Sequence, residues 1–247
     1  MGESIMSISI GMLGKGYSIV ASDSLFTHLV TNEQKDNGKK IFMHDFGWAA
    51  ESGGVRLSTR LFKDYLTRKY RFRNRKDIYT IWLLSIRDTV ESVRKHTPEY
   101  LRLVERNMSN SQCVYSLNYF KDGRAHISVE SIDFAYGVRK IENHNTLIVN
   151  PPKRTKRIER TIEKYTELTK KISGLYESIY LVACCIDEIS RYTKFINNHV
   201  DMGISLQISD SKILLMDISK SATELKEIYR KTKTFTETMM VRKVIQC

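Results

Sequence analysis

The first third of the chain carries its strongest constraint. Ser7–Leu13 (SISIGML) and Tyr17–Ser22 (YSIVAS) are two short runs split by Gly14-Lys15-Gly16. Ile8, Ile10 and Met12 alternate with other residues, the period of a strand with one face buried. A glycine-bearing turn between two such runs reads as a hairpin. A second pair of runs, Ile41–His44 and Gly47–Ala50, comes after a polar connection, and Gly53-Gly54 then opens a helical pattern.

Downstream, the pattern alternates helices and hairpins. Val55–Tyr70 carries an apolar stripe at helical spacing, and a second helix begins near Asp77 and is broken or restarted at Pro98, with Tyr100–Val104 as a further helical turn. Gln112–Phe120 and Ala125–Asp133 flank Lys121-Asp122-Gly123-Arg124, and Asp-Gly between two strand patterns is the clearest hairpin signal in the chain. Asn145–Val149 reads as a strand. Thr155–Lys171 and Ser178–Ile196 read as helices separated by Gly174. A last hairpin, Gly203–Ile208 with Lys212–Ile218, precedes a helix over Ser221–Arg230. Its Ser221 and Glu224 have capping-box spacing. The tail Thr232–Cys247 is strand-like.

At 247 residues the chain can bury one substantial core, roughly three quarters of its unfolded surface. With 41% apolar residues it is not a disordered chain. No apolar run approaches the roughly 20 residues of a membrane helix. Cys113, Cys184, Cys185 and Cys247 have no metal-ligand spacing and read as reduced thiols of a cytoplasmic protein. No metal or cofactor is expected. The net charge of +12 comes largely from 68–76 and 153–171. Neither run has aromatics spaced as a stacking platform, so solvated helix faces explain them better than nucleic acid does.

Four residues carry the candidate chemistry: Ser7, Asp23, Lys40 and Gly53. A serine hydroxyl needs a base beside it. An α-amine, with a pKa of about 7.7–8.0, is partly free base near neutral pH. A lysine ammonium favours the ionised hydroxyl, an aspartate holds the lysine, and a backbone N–H beside a glycine can meet an oxyanion.

Ser7 four residues before Gly11, Asp23 sixteen residues after Ser7, Gly38-Lys39-Lys40-Ile41-Phe42, and Gly53 before a helix containing Lys63-Asp64-Tyr65-Leu66 together resemble the proteasome-type family of N-terminal-nucleophile hydrolases. The entry to the penultimate strand, MGISLQISDSKILLMD over 202–217, is also similar to that family. The resemblance implies an α+β fold: a four-layer αββα sandwich of two mainly antiparallel sheets, as one domain over 1–247. It implies Ser7 as nucleophile, Lys40 and Asp23 as its electrostatic support, and Gly53 at the oxyanion. The implied activity is hydrolysis of peptide amide bonds in unfolded polypeptides by a homo-oligomeric ring, fed by an ATP-driven unfoldase.

That chemistry requires Ser7 to begin the chain. Residues 1–6 are then a propeptide, or translation starts at Met6 and that methionine is trimmed. Met6 in place of the family's usual glycine favours the second route. The sequence also departs from the family. The Asp-x-x-Ser-Gly motif before the penultimate strand cannot be placed in Lys194–Asp201, where His199 is the one candidate substitute, and the Gly-Ser-Gly loop is replaced by Val149-Asn150-Pro151-Pro152. Two other readings stand beside the peptidase: a non-catalytic subunit of the same fold with an assembly role or a binding role for an acidic partner, and a basic nucleic-acid-associated module that uses this fold, for which the charge is the only support.

Overall fold

The computed structural model describes residues 3–4, 7–28, 31, 33–35, 38–69, 75–134, 137–141, 143–151, 154–172 and 174–246. Most of the segment before Ser7, the centre of the basic run 68–76, and Cys247 lie outside them.

The strands are β1 (Glu3–Ser4), β2 (Ser9–Gly14), β3 (Tyr17–Asp23), β4 (Phe26–His28), β5 (Gln34–Lys35), β6 (Ile41–His44) and β7 (Gly47–Ser52). Helix α1 (Arg56–Asp64) continues into a wider π-type segment at Tyr65–Lys69, and α2 spans Arg75–His96. Pro98 opens a 3₁₀ turn, Pro98–Tyr100, before α3 (Leu101–Met108), so the proline restarts the helix as well as breaking it. Then come β8 (Gln112–Lys121), β9 (Arg124–Asp133), β10 (Gly137–Ile141), β11 (Thr146–Asn150), α4 (Lys156–Thr169) and α5 (Leu175–Ser190). The chain continues with β12 (His199–Ser209), β13 (Lys212–Ser221), α6 (Ala222–Thr232) and β14 (Met240–Gln246).

The Asp-Gly turn forms as its chemistry demands: Asp122 has φ 52° and Gly123 φ 73°, the positive pair that matches strand twist in a two-residue hairpin. At α6, Ser221 Oγ accepts from the Glu224 amide at 3.2 Å and Glu224 Oε2 accepts from the Ser221 amide at 3.0 Å, completing the capping box. Helix α5 ends at Ser190, earlier than the apolar spacing through Ile196 suggested. Sequence periodicity also missed β1, β4, β5 and β10, whose short or exposed strands carry little apolar alternation.

Two antiparallel sheets dominate. One runs β11-β2-β3-β12-β13-β14, the other β10-β9-β8-β7-β6, and β1-β4-β5 form a small third sheet. Ile8, just before β2, and Ile10 and Met12 on it join Ile179, Val182 and Ile186 of α5 in one core cluster. On the five-stranded sheet, Ala49, Tyr115 and Ile132 pack with Phe62 of α1 and Trp82 of α2 in a second. The third mixes both sheets: Leu13, Val20 and Leu215 with Ile41, Trp48 and Val129. Full burial of each Ile, Leu, Val, Phe or Met side chain among these contributes about 1.5–3 kcal/mol relative to exposure.

Polar ties also join the sheets. Trp48 Nε1 of β7 donates to the Ile204 carbonyl of β12 at 3.1 Å, and Asn118 Nδ2 of β8 donates to Ser205 Oγ at 3.0 Å. Gly203 makes the Trp48 approach possible, because a Cβ there would lie 2.2 Å from the indole Cδ2.

Candidate active site

Period two on β2 sends the even-numbered residues into the helix-side core and leaves the odd-numbered ones on the other face. Ser7 stands just before β2, fully buried, and its Oγ has no hydrogen-bond partner among the described residues. Ser9, next along that face, shares a 2.9 Å hydrogen bond between hydroxyls with Ser52 of β7. This bond ties the start of β2 to the end of β7, immediately before Gly53.

Asp23 ends β3, where the 2–3 hairpin returns it beside the start of β2. Its Oδ1 accepts from the Ile8 amide at 3.2 Å and its Oδ2 from the Leu25 amide at 3.1 Å. Lys40 precedes β6 and reaches back, so that its Nζ lies 3.1 Å from Asp23 Oδ1. The same ammonium donates to the Leu25 carbonyl and stands over the Phe26 ring, 5.1 Å from its centroid. Both charged side chains are wholly buried. Burial pushes the Asp23 carboxyl up, against the pull of Lys40 and the two amides. Burial likewise pulls the Lys40 ammonium down, against the charges of Asp23 and Asp201.

Asp201 was not expected from the sequence. It lies on β12 opposite Ser22 of β3, one position along from the Val200–Asp23 pair, so the ladder places a second carboxylate near Lys40. It is buried, and its Oδ1 accepts from Ser219 Oγ at 2.6 Å. His199, the substitute suggested by the sequence, contacts the same hydroxyl at 3.0 Å. The only signal for Asp201 was an acidic residue in the otherwise apolar Val200–Ile204.

Gly53 has φ +77°, and an added Cβ would strike the Asn110 carbonyl oxygen at 2.2 Å, so both conformation and space demand glycine. Among the described residues it has no hydrogen bond to Ser7, Asp23 or Lys40. The structure therefore joins Asp23 to Lys40 directly, and Ser7 to them through the Ile8 amide next door. Gly53 comes near only through the Ser9–Ser52 tie.

Behind this turn lies Glu51, also unforeseen. Ser58 Oγ of α1 bonds Glu51 Oε1 at 3.2 Å and receives the Val55 amide at 3.3 Å, so a buried carboxyl braces the Gly53–Val55 segment. Burial raises its pKa to about 7, against hydroxyl and indole groups nearby. Among the described residues no group of three or more His, Cys, Asp and Glu could hold a metal ion.

These elements define a proteasome-like α+β fold. No protein-family model matches the sequence, and no curated protein matches it. Solved structures do. The helical assembly of the Anbu complex from Pseudomonas aeruginosa is similar with TM-score 0.61 at 11% identity, over 93% of this chain and 94% of that one. Anbu from Yersinia bercovieri, described as an ancestral beta-subunit, gives 0.58 at 11% identity over 91% and 93%. A Gly-1 mutant of Anbu from Hyphomicrobium sp. strain MC1 gives 0.59 at 10% identity over 92% and 94%. At such identities the likeness is one of fold.

Proposed function

We propose that this chain is a proteasome-like peptidase that hydrolyses peptide amide bonds with Ser7 as an N-terminal nucleophile, once residues 1–6 are absent. In this reading the chain is one αββα domain over 1–247, with the helix clusters as its outer layers. The observation that carries it is the fully buried Asp23–Lys40 ion pair beside Ser7, since charges are left buried at a cost unless they have work to do. The free α-amine of Ser7 takes the hydroxyl proton as Oγ attacks the scissile carbonyl carbon. Lys40 favours the ionised hydroxyl, and the Gly53 N–H meets the oxyanion. The amine product leaves with the proton, and water then releases the acyl group from Ser7.

A homo-oligomer accompanies this reading, because an enclosed site restricts substrates to unfolded polypeptide. An ATP-driven unfoldase supplying that polypeptide and a cytoplasmic location belong to the same proposal. The ring expected from the resemblance competes with the helical form of the Pseudomonas aeruginosa assembly. Electron microscopy of the purified chain separates them, and a monomer near 28.8 kDa at all concentrations counts against both.

A second reading, a non-catalytic subunit of the same fold, is favoured by one observation. Glu3 and Ser4 pair with His28 and Thr27, so residues upstream of Ser7 have a place in the sheet structure. With Met6 attached, the Ser7 nitrogen is an amide and cannot act as base. The two readings part on one experiment: chain beginning at Ser7 cleaves a panel of fluorogenic peptide amides, chain beginning at Met1 does not, and Ser7→Ala abolishes cleavage without unfolding the protein. Equal activity of both forms refutes the mechanism.

A further inference from the structure

Lys39, the neighbour of Lys40, points to a different feature. Its Nζ lies 2.9 Å from Asp217 Oδ2 on β13, and Arg242 Nε of the edge strand β14 lies 2.8 Å from Asp217 Oδ1. Asp217 is itself almost wholly buried, while Lys39 and Arg242 are half-exposed. One carboxylate thus uses both oxygens to hold two cations in fixed positions. They stand at a cleft of about 370 Å³ between the edges of the two large sheets, where Lys63 of α1 joins them and Met43 and Trp48 contribute apolar wall.

The charge in this cleft is not balanced from within. Three cations meet one carboxylate, and each Asp217 oxygen already holds one of them. Burial alone would raise the Asp217 carboxyl, but the hydrogen bonds from Arg242 and Lys39 outweigh it and hold it below the usual range. Arg242 contributes only its Nε to Asp217, leaving its two terminal nitrogens for another acceptor, and Lys63 has no ion-pair partner among the described residues. The volume is at the small end for ligand sites, suited to one or two side chains.

We propose that this cleft binds the side-chain carboxylate of an acidic peptide segment, held by Lys63 and the terminal nitrogens of Arg242, with the aliphatic stem against Met43. A fork-shaped guanidinium suits a carboxylate well. Nucleic acid fits less well. Base stacking needs an exposed aromatic face, and Trp48 and Phe42, the aromatic side chains of the cleft, are 2% and 4% exposed. The proposal does not depend on catalysis at Ser7, because binding is read at equilibrium.

The test is fluorescence anisotropy on the full chain, with a labelled hexapeptide carrying two adjacent glutamates and its glutamine counterpart. The acidic peptide should bind, and the counterpart about tenfold more weakly or worse. Lys63→Gln and Arg242→Gln should each weaken the acidic peptide about tenfold and leave the counterpart unchanged. Both side chains are solvent-accessible, so a thermal melt confirms that the variants fold. Equal affinity for the two peptides, unchanged affinity in the Lys63 and Arg242 variants, no binding at millimolar peptide, or competitive displacement by a single-stranded oligonucleotide at concentrations below the peptide's own Kd would each overturn the proposal.

Discussion

Replacing Asp23 with asparagine tests the buried pair most directly. The carboxylate serves three donors: Ile8 and Lys40 at Oδ1, Leu25 at Oδ2. Asparagine has one acceptor oxygen. Placed at Oδ1, it turns its NH₂ toward the Leu25 amide; turned the other way, it abandons Ile8 and Lys40. Either orientation orphans a buried donor, at about 1–3 kcal/mol. The Lys40 ammonium, wholly buried, also loses its paired counter-charge and keeps only the more distant Asp201, and the total cost should reach about 3–5 kcal/mol. Urea melts at pH 7 of wild type, Asp23→Asn, Lys40→Met and the double variant give the comparison. The double variant should recover much of the loss, because no uncompensated charge stays buried, but not the part due to the backbone donor that asparagine orphans. pH adds a second signature. A lysine whose folded pKa is lowered destabilises the fold below that pKa, and the cost disappears as pH rises toward its unfolded value of 10.5. Asp23→Asn should therefore regain stability as pH rises toward 10.5. Single-variant losses under about 1 kcal/mol that simply add would place the pair in solvent and refute the reasoning.

Three further outcomes rest on buried groups. Glu51 has a folded pKa of about 7 against 4.5 ordinarily, so the stability it contributes is complete below pH 4.5 and lost by pH 7. Relative to Glu51→Gln, wild type should lose up to about 3 kcal/mol across that window in denaturant melts, and parallel curves would show that the carboxyl is not buried in this way. His44 acts in the opposite sense: burial lowers it from 6.5 to about 4, so stability is lost as pH falls through that range. His44→Gln should remove up to about 3 kcal/mol of that acid sensitivity, and an unchanged acid limb would count against burial of the neutral ring. Gly203→Ala forces a methyl into the Trp48 indole and should cost about 1–3 kcal/mol; a loss too small to measure would mean the sheets can separate locally without penalty.

The sequence by itself determined the features that depend on neighbours along the chain. Alternation at Ile8, Ile10 and Met12 settles which face of β2 is apolar. Asp122-Gly123 determines a turn, and Ser221 with Glu224 determines a helix start, because each acts within four residues. Ser7, Asp23 and Lys40 were also legible, since strand ends hold them within a short stretch. Tertiary structure decided what those groups experience. Lys40 is a buried partner of Asp23, whereas Lys39, one residue earlier, is half-exposed and bound to Asp217, 178 positions away. No local pattern separates the two lysines. Asp201 and Glu51 were missed for the same reason. A lone acid in an apolar run has no periodicity of its own, and its charge matters only when another strand or helix covers it. Desolvation is a property of everything packed around a group, and most of what packs around these carboxyls comes from remote sequence.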